Sequence, residues 1–384
     1  MRRQSDPRDV SLSPRAIRHA KPPSYKMGNS LIRRRVFVRM ALVLVGCAVG
    51  LLLLEFAVRF LDVPPRPLAP LPLADYRVSE NPVIIYEYMP NYAGTEGFRI
   101  NSAGFRDHEY PIDKPPGVYR VIALGDSTTA GIGVELIANT YPKRLERLLN
   151  DGAAQDTGYE VLNMGVGGYH TLQEAETLRT KGLRYRPDFV LLLVCLNDFD
   201  LDADGGIYEM MKNGGDFGHG RRNRSVLGLL LGNSRLAFIL YHRLWWGKNE
   251  HERWYWKHAL RGATTVKTGL ALLSELQLQA GFVAYVAILP EFSFPFDGYQ
   301  AYPIHERVRR AADGLPGIHI IELLDHLREV DNHAPVFSYD GVHLNEYGHD
   351  TVARFLAPLI RNSAAGSGSV LNGRMDQYSE PVIH

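Results

Sequence analysis

Three apolar runs separated by helical stretches constrain this chain more than any other feature. Val118–Leu124, Tyr159–Met164 and Asp188–Val194 are short and rich in Val and Leu, the pattern of strands buried on both faces. Between them, Ala138–Asn150 and Thr171–Tyr185 read as helices, the first with Leu145, Leu148 and Leu149 along one stripe. The order βαβαβ calls for parallel strands joined by right-handed crossovers. Further on, Thr264–Leu278 reads as an amphipathic helix and Phe282–Leu289 as a strand closed by Pro290. Ile304–Ala312 reads as a helix, Ile318–Leu323 as a fifth strand and Glu346–Ile360 as the last helix. The predicted class is α/β, with a five-stranded parallel sheet between two helical layers.

Parallel strands send the loops that follow them to one edge of the sheet, the carboxyl edge, where open α/β sheets place their chemistry. The first run stops at Gly125-Asp126-Ser127-Thr128-Thr129, the second at Gly165-Val166-Gly167-Gly168 and the third at Asn197-Asp198. A serine just past the end of a central strand is a candidate nucleophile, and the N–H groups of the following turn can face a developing anion. A Gly-Asp-Ser turn is also a common way to leave a strand, so Ser127 gains weight only in company. The company comes near the C-terminus, in Tyr339-Asp340-Gly341-Val342-His343-Leu344-Asn345. An aspartate three residues before a histidine can hold one ring nitrogen while the other takes a proton. His349 is a rival base, expected on the surface of the last helix. Asp126 and Asp198 are expected to fix their own loops by hydrogen bonds to backbone.

Taken together, the four blocks resemble the SGNH, or GDSL, hydrolase superfamily over roughly Val118 to Ile360. The resemblance implies a flavodoxin-like three-layer fold and a Ser-His-Asp triad of Ser127, His343 and Asp340. It also implies an oxyanion hole made by the Ser127 N–H, the Gly168 N–H and the Asn197 side-chain amide, with no metal or organic cofactor. One position departs from the pattern: the third block has Cys195 where the family has glycine. The turn is Gly-x-Ser-x-Thr, not the Gly-x-Ser-x-Gly elbow of α/β-hydrolases. Ahead of the first strand, Asn101-Ser102-Ala103-Gly104-Phe105-Arg106 resembles a bacterial branch of the same superfamily. Arg106 has either a packing role in an extra hairpin or a role at the site.

The N-terminal third has a different logic. Residues 1–35 lack hydrophobic periodicity and carry eight Arg and two Lys against Asp6 and Asp9, so they read as a disordered basic tail. From Val36 to Leu54 only Arg39 interrupts an apolar run, long enough to cross ~30 Å of hydrocarbon. Residues 36–61 are therefore expected to span a membrane, with Arg33, Arg34 and Arg35 holding the N-terminus in the cytoplasm. A cleaved signal peptide and lipoprotein processing at Cys47 are the alternatives. Cys47 is followed by Ala48-Val49-Gly50-Leu51-Leu52, a poor start for a mature chain. Residues 62–75 hold five prolines and read as a semi-rigid spacer. Residues 76–117 read as a β extension, with short strands in Val83–Met89 and Phe98–Asp107 and a turn at Asn101–Gly104. The hydrolase domain is expected over 118–362, with an insertion at 199–262, and a disordered tail over 363–384. Within the insertion Ser225–Leu244 reads as helical, and all four tryptophans, Trp245, Trp246, Trp254 and Trp256, fall there. A helical cap, a lid over the serine and a membrane-contact surface all fit that composition.

The formal net charge is +1, which offers no polyanion, nucleic acid included, a counter-charge. The two cysteines, Cys47 and Cys195, lie in unlike segments and predict no disulfide framework. Three functions follow in order of fit. The first is hydrolysis of acyl or acetyl esters of envelope carbohydrate or lipid. The second is O-acyl transfer to an envelope glycan at the same site. The third is a non-catalytic ligand-binding module, which gives Asp340 and His343 no reason to reach Ser127.

Overall fold

The computed structural model describes residues 27–61, 75–94, 98–151, 158–199, 234–241, 244 and 263–366. The chain divides into two compact units, Met1–Ala57 and Val58–His384. The first is built on helix α1, Met27–Phe60 (34 residues), which begins ahead of the expected Val36. Within Ile32–Phe60 an 18-residue window reaches a mean hydropathy of 2.6, and none of that window is buried. A helix of that length and composition can cross a membrane.

The second unit carries a parallel sheet of β3 (Val118–Gly125), β4 (Gly158–Asn163), β5 (Phe189–Val194), β6 (Val283–Ile288) and β7 (Ile318–Glu322). The strand order is β4-β3-β5-β6-β7, and each neighbouring pair is parallel. Helix α2 (Ser127–Ala130) follows β3 directly, and α3 (Tyr141–Asn150) leads into β4. Then come α4 (Thr171–Thr177), α5 (Arg235–Tyr241), α6 (Ala263–Ala280), α7 (Tyr302–Ala312), α8 (Leu323–Val330) and α9 (Glu346–Ala364). From β3 the chain steps one way to β4 and then returns past β3 to β5. With right-handed crossovers that reversal puts α3 on one face and α4, α6 and α7 on the other. Packing agrees: α9 lies on α3, whereas α6 lies on α4 and α7. The strands are buried through Val121–Leu124, Val190–Val194 and Ala284–Ile288, which is why they read as continuous apolar runs.

Two predicted helices are broken. Thr140 has an extended backbone, so the expected Ala138 start becomes a 3-10 turn at Ile137–Asn139 followed by α3, with Pro142 in its first turn. The expected Thr171–Tyr185 helix widens into a π-turn over Leu178–Gly182 and ends in a 3-10 turn. Gly182 is pressed against Leu178, since a Cβ there would lie 2.8 Å from its Cδ1. In the extension, β1 (Tyr76–Val78) pairs antiparallel with β2 (Tyr86–Tyr88). The expected turn at Asn101–Gly104 is present, with Asn101 accepting the N–H groups of Ala103 and Phe105, and the pairing ahead of it is the single bridge Ala93 to Arg99. Asp107 ties the extension to the sheet, accepting from the Asn163 N–H at 2.6 Å and pairing with buried Lys143 at 2.9 Å. Of the predicted insertion, Arg235–Tyr241 is helical. The expected basic tail 1–35 is helical from Met27, as the start of α1, and the expected tail 363–384 begins inside α9, which runs to Ala364. The four tryptophans and residues 1–26, 62–74 and 367–384 lie outside the described residues.

Candidate active site

The reversal of chain direction falls between β3 and β5, so the loops after these strands part and leave a crevice at the carboxyl edge. β3 ends at Gly125, whose φ of 155° suits glycine and whose Cα faces Thr129; a Cβ would lie 2.0 Å from the Thr129 Oγ1. The chain then turns at once into α2. Asp126 caps it, accepting from the Thr128 N–H at 2.8 Å. Ser127 is thus the first residue of a four-residue helix that Gly131 closes in the left-handed conformation, with φ 77°. The strand end, the cap and the helix stop fix its backbone, and its Oγ lies 3.3 Å from Asp126 Oδ2.

His343 arrives from the segment between the last strand and α9. Its Nε2 lies 2.9 Å from the Ser127 Oγ, and its Nδ1 lies 2.9 Å from Asp340 Oδ2. The partners assign the tautomer: Nδ1–H donates to Asp340, and Nε2 accepts from the serine hydroxyl. Asp340 Oδ1 accepts the N–H groups of Val342 and His343, at 3.0 and 2.8 Å. The turn is braced by Ser338, which accepts from the Gly341 N–H and donates to the His343 carbonyl. Phe292, in the loop after β6, donates its N–H to the Gly341 carbonyl at 2.8 Å. Burial pulls the His343 pKa down, but the charge and hydrogen bond of Asp340 outweigh it and the net shift is upward. Burial likewise pushes Asp340 up, and His343 with the two backbone donors brings it below its ordinary value.

The predicted oxyanion donors Gly168 and Asn197 belong to the segments that follow β4 and β5. The loop after β4 lies against α2, for Val166 donates its N–H to the Gly125 carbonyl at 3.1 Å. Gly168 follows at φ 78°. Asn163, at the end of β4, donates to the Thr129 carbonyl at 2.8 Å and accepts from the Gly165 N–H at 3.0 Å. Asn197 belongs to the 3-10 turn Leu196–Phe199 that follows β5; its side chain lies outside the described residues.

Several side chains differ from their sequence reading. His349 is buried, not on the surface. Its Nδ1 accepts the Tyr141 N–H at 3.0 Å, which spends the lone pair a base would need. Asp198 accepts from the Thr171 hydroxyl at 2.9 Å and also bonds the backbone of Cys195 in its own loop, as expected. Cys195 is buried and gives its thiol to Asp126 Oδ1 at 3.3 Å, so it supports the cap that orients Ser127. Arg106 is buried and donates to the carbonyls of Ala130, Gly131, Val134 and Glu135. Four carbonyls on one guanidinium make it a clamp on the loop after α2. The sequence signal for that was a lone arginine beside a Gly-Phe pair.

A family model described as GDSL-like Lipase/Acylhydrolase matches residues 123–351. No curated protein matches the sequence. Among solved structures, a lipase/acylhydrolase from Enterococcus faecalis is similar at a TM-score of 0.40 and 14% identity, covering 64% of this chain and 96% of that one. An acetyl xylan esterase is similar at 0.39 and 17%, covering 63% and 99%. A two-domain esterase active on acetylated mannans is similar at 0.39 and 13%, covering 65% of this chain and 50% of that one. The present chain therefore spans half of that esterase's length. The matched segment is more than half of the chain and holds every residue of the Ser127–His343–Asp340 relay: this protein belongs to the GDSL-like lipase/acylhydrolase family and is an ester-hydrolysing enzyme.

Proposed function

We propose that Ser127 is the nucleophile, His343 the general base and Asp340 the residue that orients and charges the base. The observation that carries this is the continuous relay, 2.9 Å from Ser127 Oγ to His343 Nε2 and 2.9 Å from His343 Nδ1 to Asp340. A serine hydroxyl is a weak nucleophile until a base takes its proton. In the proposed cycle His343 removes the hydroxyl proton as Ser127 attacks the ester carbonyl. The imidazolium that forms is stabilised by Asp340 and returns the proton to the leaving alcohol. Water, activated by the same imidazole, then releases the acid from the acyl-enzyme. The tetrahedral oxyanion is met by the Ser127 N–H, the Gly168 N–H and the Asn197 amide, each worth roughly 3 kcal/mol of barrier.

The substrate follows from topology. Ile32–Phe60 is apolar enough to cross a membrane, and Arg33, Arg34 and Arg35 lie at its amino end. The positive-inside rule then holds the N-terminus in the cytoplasm and sends the hydrolase domain outside. Acyl or acetyl esters of cell-envelope carbohydrate or lipid are the esters within its reach.

The test uses the full chain in detergent micelles, with fluorophosphonate labelling and p-nitrophenyl acetate turnover. Wild-type protein labels and turns over, and Ser127→Ala and His343→Ala abolish both. Folded wild-type protein that neither labels nor turns over, or turnover that survives Ser127→Ala, refutes the assignment.

A further inference from the structure

We infer that Tyr86, in the extension ahead of the matched family segment, is a positioning residue that aims the Gly168 N–H at the reacting carbonyl. The inference rests on the proposed roles of Ser127 and Gly168. Tyr86 is fully buried, and its hydroxyl donates to the Gly167 carbonyl at 3.2 Å. That carbonyl and the Gly168 N–H belong to one peptide unit. A trans peptide is planar and its N–H points opposite its C=O, so whatever grips the carbonyl fixes the direction of the N–H. The bond also polarises the amide, which makes its N–H a stronger donor.

The neighbouring groups support the same grip. Tyr88, also fully buried, accepts the Gly167 N–H on its hydroxyl at 3.1 Å, so Gly167 is held at both ends by the first and last residues of β2. Tyr169 returns a bond to the Tyr86 carbonyl at 2.6 Å, and Gln173 donates to the Ile84 carbonyl at 2.9 Å. A glycine-rich loop needs such external support, because Gly167 and Gly168 have no side chains of their own to pack. Arg106 clamps the end of α2 and the loop after it through the carbonyls of Ala130 and Gly131. The loops after β3 and β4 are therefore both held by a segment that precedes residue 123, where the family match begins.

Tyr86→Phe in the full chain removes the hydroxyl and keeps the ring. An oxyanion donor that is loosened but not removed costs less than the 10²-fold of outright deletion. The expected result is a fall in kcat of about 10-fold with KM within about twofold, and an equal loss of affinity for an arylboronic acid, which mimics the tetrahedral intermediate. Tyr88→Phe gives the same signature through the other end of Gly167 and serves if Tyr86→Phe does not fold. Tyr110→Phe is the control: its hydroxyl lies in the same extension but donates to Glu146, so it shifts the melting temperature without moving kcat or boronate affinity. Folded Tyr86→Phe with wild-type kcat and boronate affinity overturns the inference, as does an equal kcat loss in Tyr110→Phe. If Ser127→Ala leaves wild-type turnover intact, the nucleophile assignment fails first, and Tyr86→Phe then has no oxyanion donor to move.

Discussion

Gly165 sits with its Cα against the backbone of α2: a Cβ there would lie 2.4 Å from the Ala130 nitrogen and 2.7 Å from the Thr129 carbonyl carbon. Both are main-chain atoms and neither can turn aside. Gly165→Ala must push α2 away from the loop after β4 or distort that loop. Overpacking of this kind costs about 1–3 kcal/mol. Because α2 carries Ser127, the loss of kcat should exceed what the fraction unfolded explains. Urea denaturation beside kinetics on Gly165→Ala checks this; a variant as stable and as active as wild type would show that the contact yields.

The pH dependence of turnover should report His343. Only the neutral imidazole can take the serine proton, so kcat/KM rises with pH and then levels. Despite burial, Asp340 holds the His343 pKa above its usual value, so the midpoint should lie above about 6.5. Asp340→Asn removes the charge and should move the midpoint to lower pH while cutting kcat by about 10³- to 10⁴-fold, as the wrong tautomer becomes favoured. A midpoint in Asp340→Asn equal to or above that of wild type would contradict this electrostatic account.

The parts of this molecule that the sequence discloses are those where one residue type answers to one local demand. Buried parallel strands must be largely apolar, so Val118–Leu124 and Phe282–Leu289 were legible; the exception, Arg120, is buried against Glu160. A strand that ends in Gly-Asp-Ser and a turn that holds Asp340 three residues from His343 carry their geometry in their spacing. The burial of His349 depends on α9 packing against α3, which helical periodicity within α9 does not reveal. The clamp by Arg106 joins residues 24 to 29 positions apart, and Tyr86 meets Gly167 across 81 positions. Contacts of that range leave no period in the chain. The π-turn at Leu178–Gly182 was hidden for another reason: Leu178–Lys181 hold no helix breaker, and tertiary packing overrides their propensity.

Cys195 should be chemically inert. Burial pushes its thiol well up, and the nearby charges of Asp126 and Asp198 add to this, so it stays protonated at neutral pH. Alkylating agents react with thiolates, and iodoacetamide should leave turnover of the native protein unchanged. Cys195→Ser keeps a donor for Asp126, whereas Cys195→Gly removes it and leaves a void, for a cost of about 1–2 kcal/mol. Inactivation by iodoacetamide that Cys195→Ser prevents would mean the site opens far more than the packing of β5 permits.

His349 makes a separate, testable contribution to stability against acid. Burial, with the positive charges of Arg144, Arg106 and His343 nearby, lowers its pKa to about 3, while in the unfolded chain it titrates near 6.5. Above pH 6.5 it is neutral in both states and its contribution is complete. As pH falls below that, the unfolded chain takes the proton first, and stability declines by up to about 1.4 kcal/mol per pH unit until the folded value is approached. His343 has the opposite sign: its raised pKa stabilises the fold below pH 6.5 and loses that effect as pH rises through the folded value, so the two windows do not overlap. Asparagine at 349 can still accept the Tyr141 N–H that His349 Nδ1 accepts at 3.0 Å, but it does not titrate. His349→Asn should be less stable than wild type at pH 7, and the difference should shrink between pH 6.5 and 5. Urea midpoints at these pH values decide it: a difference that stays constant would assign the acid sensitivity to other groups.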